Sequence, residues 1–229
     1  MRSRSRLWPT LSLSLFLLPL AIHAQTPFPG EEMTLSQRVT LAVEANDLEG
    51  LRALGPDAVP ALVFLYETGD DAQRLQLAQA FHELAWPSPA VERALMGDVR
   101  SKNVELRLAV YYALGRVSND PAVVETLLDI LQNDPNPLLR DKAACALAYD
   151  QVHLKEPQEK VRLYEGLIQA LSSPERQVQA LAIQALSILT GETKGFHPAF
   201  PPERQQRSID LWQRWLDEIR SGAQEPAGP

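Results

Sequence analysis

From residue 34 onward the apolar positions recur every three or four residues, and they almost never alternate with polar ones over a stretch long enough for a strand. That period gathers the apolar residues on one helical face, so the pattern predicts an all-α chain. The predicted helices fall into two alternating sets. The first comprises PDAVPALVFLYE, SPAVERALMGDV, DPAVVETLLDIL and EKVRLYEGLIQAL, most with a proline near the start. Proline suits the first helical turn, where its missing N–H leaves no bond unmade. The second set, DAQRLQLAQAFHEL, NVELRLAVYYALGRV, NPLLRDKAACALAYD and ERQVQALAIQALSIL, aligns with itself.

In that alignment Ala80, Ala113, Ala146 and Ala185 share a column, followed by Phe81, Leu114, Leu147 and Leu186. The alanines are 33, 33 and 39 residues apart, and the longer last step fits an insert around HLKEPQEK that should bulge as a loop. Arg74, Arg107 and Arg140 form a second column, completed by Gln179. Four residues before each stand Asp70, Asn103, Asn136 and Glu175, of which three or four suit the capping of free backbone N–H groups. Repetition at this period marks stacked helix pairs. The alanines allow close helix approach, the adjoining Leu or Phe fills the layer between pairs, and a lone pair cannot bury its own apolar face.

The run Asn136 to Leu147, which reads N-P-x-x-R-x-x-A-x-x-A-L, resembles HEAT repeats, particularly the short bacterial kind also found in phycobilin-lyase-like proteins. The resemblance covers roughly residues 56–190, and a weaker helix pair is expected within 34–55. It implies an α–α superhelix, a HEAT-like solenoid of about five helix pairs over 34–190. It also implies a surface along the second helices that binds peptides or protein domains. Some phycobilin-lyase relatives attach or isomerise bilins. The resemblance therefore carries an alternative, an accessory subunit or enzyme holding a small-molecule cofactor or metal in the groove. The repeat pattern does not itself carry that chemistry, and the expected function is a non-enzymatic scaffold for protein–protein interaction.

After the last repeat helix, Gly191 is placed to stop it, and Pro198, Pro201 and Pro202 prevent its continuation. A further helix is predicted with Leu211, Trp212, Trp215, Leu216 and Ile219 on one broad face. The end of a solenoid leaves an apolar face that needs covering, so residues 191–220 are expected to form a strap and a capping helix. Phe196 and Phe200 would fill the strap, His197 would be an ordinary strap residue, and 221–229 would be a disordered tail. This ending, an LTG followed by an aromatic and proline strap and a W-x-x-W helix, also resembles that of bacterial HEAT-repeat proteins.

Composition changes the picture in three ways. Arg2, Arg4 and Arg6, the apolar run Leu11 to Ala21 and Ala24 read as a secretory signal over residues 1–24, followed by a flexible segment 25–33. The expected location is then periplasmic or secreted, and no later segment is long and apolar enough to span a bilayer. Removing residues 1–24 takes away three arginines and no acid, leaving 205 of 229 residues and shifting the net charge from −7 to −10. Such an acidic chain lacks a footprint for phosphate backbones, so a protein partner is expected and nucleic acid is not. Cys145 is the single cysteine, so no internal disulfide supports the fold.

Candidate chemistry is thin. His82, His153 and His197 are isolated from one another, and there is no HExxH, GxSxG, GxxxxGK[ST] or GxGxxG pattern. Acidic pairs such as Asp70–Asp71 read as cap and loop residues. No catalytic, cofactor-binding or metal-binding residue is assigned. The candidate surface comprises the first and fifth residues after the arginine column. These are Leu75 and Gln79, Leu108 and Tyr112, Asp141 and Cys145, then Ala180 and Gln184. Residues four apart share a helix face, so Leu75, Gln79, Leu108, Tyr112, Asp141, Cys145 and Gln184 should form a stripe across the stacked helices. Apolar residues with an aromatic anchor suit protein binding. A register displaced by one residue would instead make them ordinary core. Cys145 is either a groove-facing thiol or a small residue half-buried between repeats.

Overall fold

The computed structural model describes residues 33–118 and 120–222. The leader expected at 1–24, all but the last residue of the segment 25–33, and the tail from 223 lie outside the described residues.

Eleven α-helices and no strand occur among the described residues. The first pair is α1 (Leu35–Glu44) and α2 (Leu48–Leu54). It is followed by α3 (Val59–Thr68) with α4 (Asp71–Leu84), and α5 (Pro89–Met96) with α6 (Val104–Val117). Then come α7 (Pro121–Asn133) with α8 (Pro137–Cys145), and α9 (Val161–Ala170) with α10 (Arg176–Thr190). A single π turn, Ala146–Asp150, prolongs α8, and α11 (Pro202–Arg220) ends the series. Five pairs and a terminal helix match the solenoid read from the repeat period.

Local chemistry sets where the second helices begin. Asp70 accepts a hydrogen bond from the Gln73 N–H, Asn103 from Glu105 and Leu106, and Asn136 from Leu138. Each satisfies a backbone donor that the first turn leaves unpaired. Glu175 makes no such cap. Its carboxylate pairs with Arg140 of the preceding repeat instead.

The helices form two layers. In the first-helix layer α3 packs on α5, α7 on α9, and α9 on α11; in the second-helix layer α4 packs on α6, α6 on α8, and α8 on α10. Between the layers Leu106, Leu114, Leu127, Ile130, Leu131 and Leu139 are fully buried. The Phe or Leu after each column alanine, Phe81, Leu114, Leu147 and Leu186, is buried throughout. Of the alanines themselves, Ala113, Ala146 and Ala185 are buried, whereas Ala80 is only half-buried.

α11 takes the place of a sixth first helix. Trp212, Leu216 and Ile219 are buried, and the edge of one ring of Trp215 and Tyr164 faces the other at 4.9 Å. The strap crosses above it: Phe196 is buried, Trp212 Nε1–H donates to the Thr193 carbonyl (3.3 Å), and Lys194 Nζ lies 4.9 Å from the Trp212 ring centroid. Leu211 departs from the expected apolar face. It is 44 % exposed, because at 100° per residue it lies too far round the helix from the Trp212–Leu216–Ile219 line to reach α9. Gly191 ends α10 in the left-handed conformation (φ 76°), as its position in the sequence predicts.

Candidate functional site

The arginine column holds adjacent repeats in register. Arg74 of α4 reaches Asp98, in the turn between α5 and α6, at 3.0 Å. Arg107 of α6 pairs with Asp134, in the turn between α7 and α8, and Arg140 of α8 with Glu175 at the start of α10. Gln179, the fourth member, donates to the Ser173 carbonyl (2.8 Å) and to Gln205 of α11 (3.3 Å). Asp98 and Asp134 are buried, and each meets a cation on the neighbouring repeat. Buried carboxylates are tolerable only when paired in this way. Asp98 also accepts the Tyr66 hydroxyl proton (2.8 Å), and Arg107 Nε–H donates to the Tyr111 hydroxyl oxygen (3.1 Å).

This ladder fixes the faces on which the candidate residues lie. Leu75, Leu108, Tyr112, Asp141 and Cys145 are half-buried, and Gln79, Ala180 and Gln184 are exposed; none belongs to the buried core. The helices that carry them, α4, α6, α8 and α10, are successive neighbours. Between α8 and α10 one narrow crevice is lined by Asp141, Cys145, Tyr149, Gln184 and Ile188. Between α4 and α6 the His82 and Tyr112 rings meet edge to face, 6.0 Å between centroids. Burial pushes the Tyr112 phenol up, opposed by the nearby Lys142 ammonium. Burial, then the Asp141 carboxylate, pushes the Cys145 thiol up, so it stays protonated at neutral pH.

Sequence reasoning stopped short of three residues in the same lines. Val104 lies four residues before Leu108, Ile188 four after Gln184, and Tyr149 four after Cys145. Tyr149 is 60 % exposed, the most exposed aromatic of the second-helix layer among the described residues. Extending the four-residue spacing past the first and fifth positions is the signal that could have found them.

A second feature was not legible at all. Asp150, buried at the end of the π turn, lies 3.1 Å from His82 Nε2 and accepts from Arg116 Nε at 3.0 Å, while His153 Nε2–H donates to the Arg116 carbonyl at 2.6 Å. His82 Nδ1 faces Glu83 at 3.2 Å. The cluster ties α4, α6, α8 and the insert together, so His82 and His153 are structural partners here, not independent surface residues. Gly115 makes room for it, since a Cβ there would stand 3.0 Å from the Asp150 backbone. His197 is an exposed strap residue whose Nδ1 accepts the Ala199 N–H (3.1 Å). Among the described residues no helix is long and apolar enough to cross a membrane.

With this geometry in place, residues 59–148 match a family model described as HEAT repeats. The matched segment runs from the start of α3 into the π turn after α8, and it carries three of the four column alanines. No curated protein matches the chain. Among solved structures, the crystal structure of an engineered protein is similar at 20 % identity and a TM-score of 0.46, over 82 % of this chain and 88 % of that one. The match reaches HEAT repeats as a class and does not extend to the phycobilin-lyase-like kind. Residues 59–148 therefore carry HEAT repeats, and the stacked helix pairs from α3 to α8 contain them.

Proposed function

We propose that the protein is an exported scaffold that holds a protein partner against the second-helix layer, and that it works by binding and not by catalysis. HEAT repeats commonly serve protein interaction, and this chain presents the features such use requires. The observation that carries the reading is the row of half-buried Leu75, Leu108 and Tyr112 with exposed Tyr149, on three successive helices flanked by exposed Gln79 and Gln184. Aromatic anchors ringed by polar residues are the usual composition of a binding hot spot. The buried charges, Asp98, Asp134 and Asp150, are engaged in joining repeats, which supports a structural role for them. Export, to a periplasm or outside the cell, is supported by the basic start, the apolar run and Ala24 in the first 24 residues.

Capture of partners from the native compartment, with matched variants as bait, tests the reading. Leu108→Ser with Tyr112→Ser should reduce capture of a consistent partner at least about tenfold, the scale of a hot-spot loss. Because those positions are half-buried, a second bait, Gln79→Arg with Gln184→Arg, alters only exposed residues and should also weaken capture. Undiminished capture by both baits would exclude this surface.

A further inference from the structure

The alanine column is buried at Ala113, Ala146 and Ala185 but open at Ala80. The cause is helix length. α2 has seven residues beside the fourteen of α4, whereas α8 (nine residues) is prolonged by the five-residue π turn beside the fifteen of α10. Where α2 stops, α4 is left uncovered, and a half-open pocket of about 200 Å³ remains between α1, α2 and α4. The corresponding crevice between α8 and α10 holds only about 10 Å³. The space is therefore not a feature of every repeat.

The pocket wall is formed by Val43, Leu48, Leu51, Leu77 and Ala80. An apolar cavity of about 150 Å³ accommodates a benzene ring, so this one fits a single ring or an indole with a short substituent. Gln76 turns its amide nitrogen to the Val43 carbonyl at 2.6 Å. Among the described residues Glu83 is the one charged group in the lining, and its side chain is 54 % exposed. Arg52 Nη2 stands 3.9 Å from its carboxylate with Nη1 engaged by Glu49, and His82 Nδ1 stands at 3.2 Å, so the carboxylate is bordered but more than half open to solvent. An apolar wall with a carboxylate at its rim is complementary to a ring that carries a positive charge.

We propose that this pocket binds a small aromatic amine, the ring seated against Leu51, Leu77 and Ala80 and the ammonium directed to Glu83. The proposal does not depend on the protein-partner reading: Gln79 borders both sites, but Leu108, Tyr112 and Tyr149 do not line the pocket.

Calorimetric titration of the full chain with tryptamine, indole and indole-3-acetate tests it. Tryptamine should bind about three- to fivefold more tightly than indole, the worth of one partly exposed charge pair, and indole-3-acetate should bind most weakly. Glu83→Gln, at an exposed position, should bring tryptamine to within twofold of indole. Ala80→Trp fills the pocket and should abolish binding of all three while the helical circular dichroism is retained. Absence of saturable tryptamine binding, or tryptamine binding that survives in both variants, would overturn the proposal. So would N-acetyl-tryptophanamide binding as tightly as tryptamine, which would assign the pocket to a neutral side chain of a partner.

Discussion

Asp98 shows how much of this fold rests on single side chains reaching between repeats. It accepts both the buried Tyr66 hydroxyl and the Arg74 guanidinium. Asp98→Ala would leave the hydroxyl without an acceptor, and is expected to cost about 1–3 kcal/mol in denaturant unfolding. By contrast Asp129→Ala, which removes the exposed pair with Arg100, should change stability by less than about 0.5 kcal/mol. Equal costs would contradict the ladder. The arginines were legible in the sequence because they recur in one column. Their partners were not, because Asp98 stands five residues before its cap residue Asn103 and Asp134 only two before Asn136. Loops of unequal length place them in no shared column. At Cys145, burial raises the thiol above its ordinary range, which lowers the thiolate fraction at any given pH. Alkylation by iodoacetamide at pH 7.5 should therefore be slower than for free cysteine and should keep rising above pH 9. A rate matching or exceeding that of free cysteine would contradict the half-buried placement.

Among the elements, the helices were legible from their period, and their starts from prolines and cap residues. Two departures were not. The π turn Ala146–Asp150 falls in a stretch whose alanines and leucine fit the helical alignment, so nothing in its pattern distinguishes it from the corresponding turn of α6. It is stabilised by what it meets, the His82 and Arg116 side chains and the bare backbone of Gly115. Gly115→Ala would push a methyl group against the Asp150 backbone, and should cost about 1–3 kcal/mol as an overpacked core position does. Amide exchange should rise over residues 146–151. Unchanged exchange there would mean that the turn does not depend on the close approach. The other departure is the short α2, whose seven residues were expected only as part of a weaker pair. The pocket it leaves beside Ala80 comes from an absent neighbour, which an alignment of matching columns does not reveal.

In the whole molecule, stability passes from one repeat to the next and ends on α11. The stacked order was legible because a repeat unit cannot bury its apolar face alone. The candidate stripe was legible for the same reason: once the buried columns are assigned, the remaining positions are constrained by geometry. Its function was not, because a surface of Leu, Tyr and Gln names no partner. Deleting residues 203–229 removes Trp212, Leu216 and Ile219 from the face of α9, and should give a chain that aggregates on purification. A soluble truncation with native helix content would show that α11 is not the cap. The central claim, that a partner sits on the second-helix layer, is tested most directly by amide hydrogen exchange of the chain alone and in complex with its captured partner. The account predicts slowed exchange within α4, α6, α8 and α10, centred near Gln79, Tyr112, Cys145 and Gln184. Protection confined to α3, α5, α7 and α9 would contradict it.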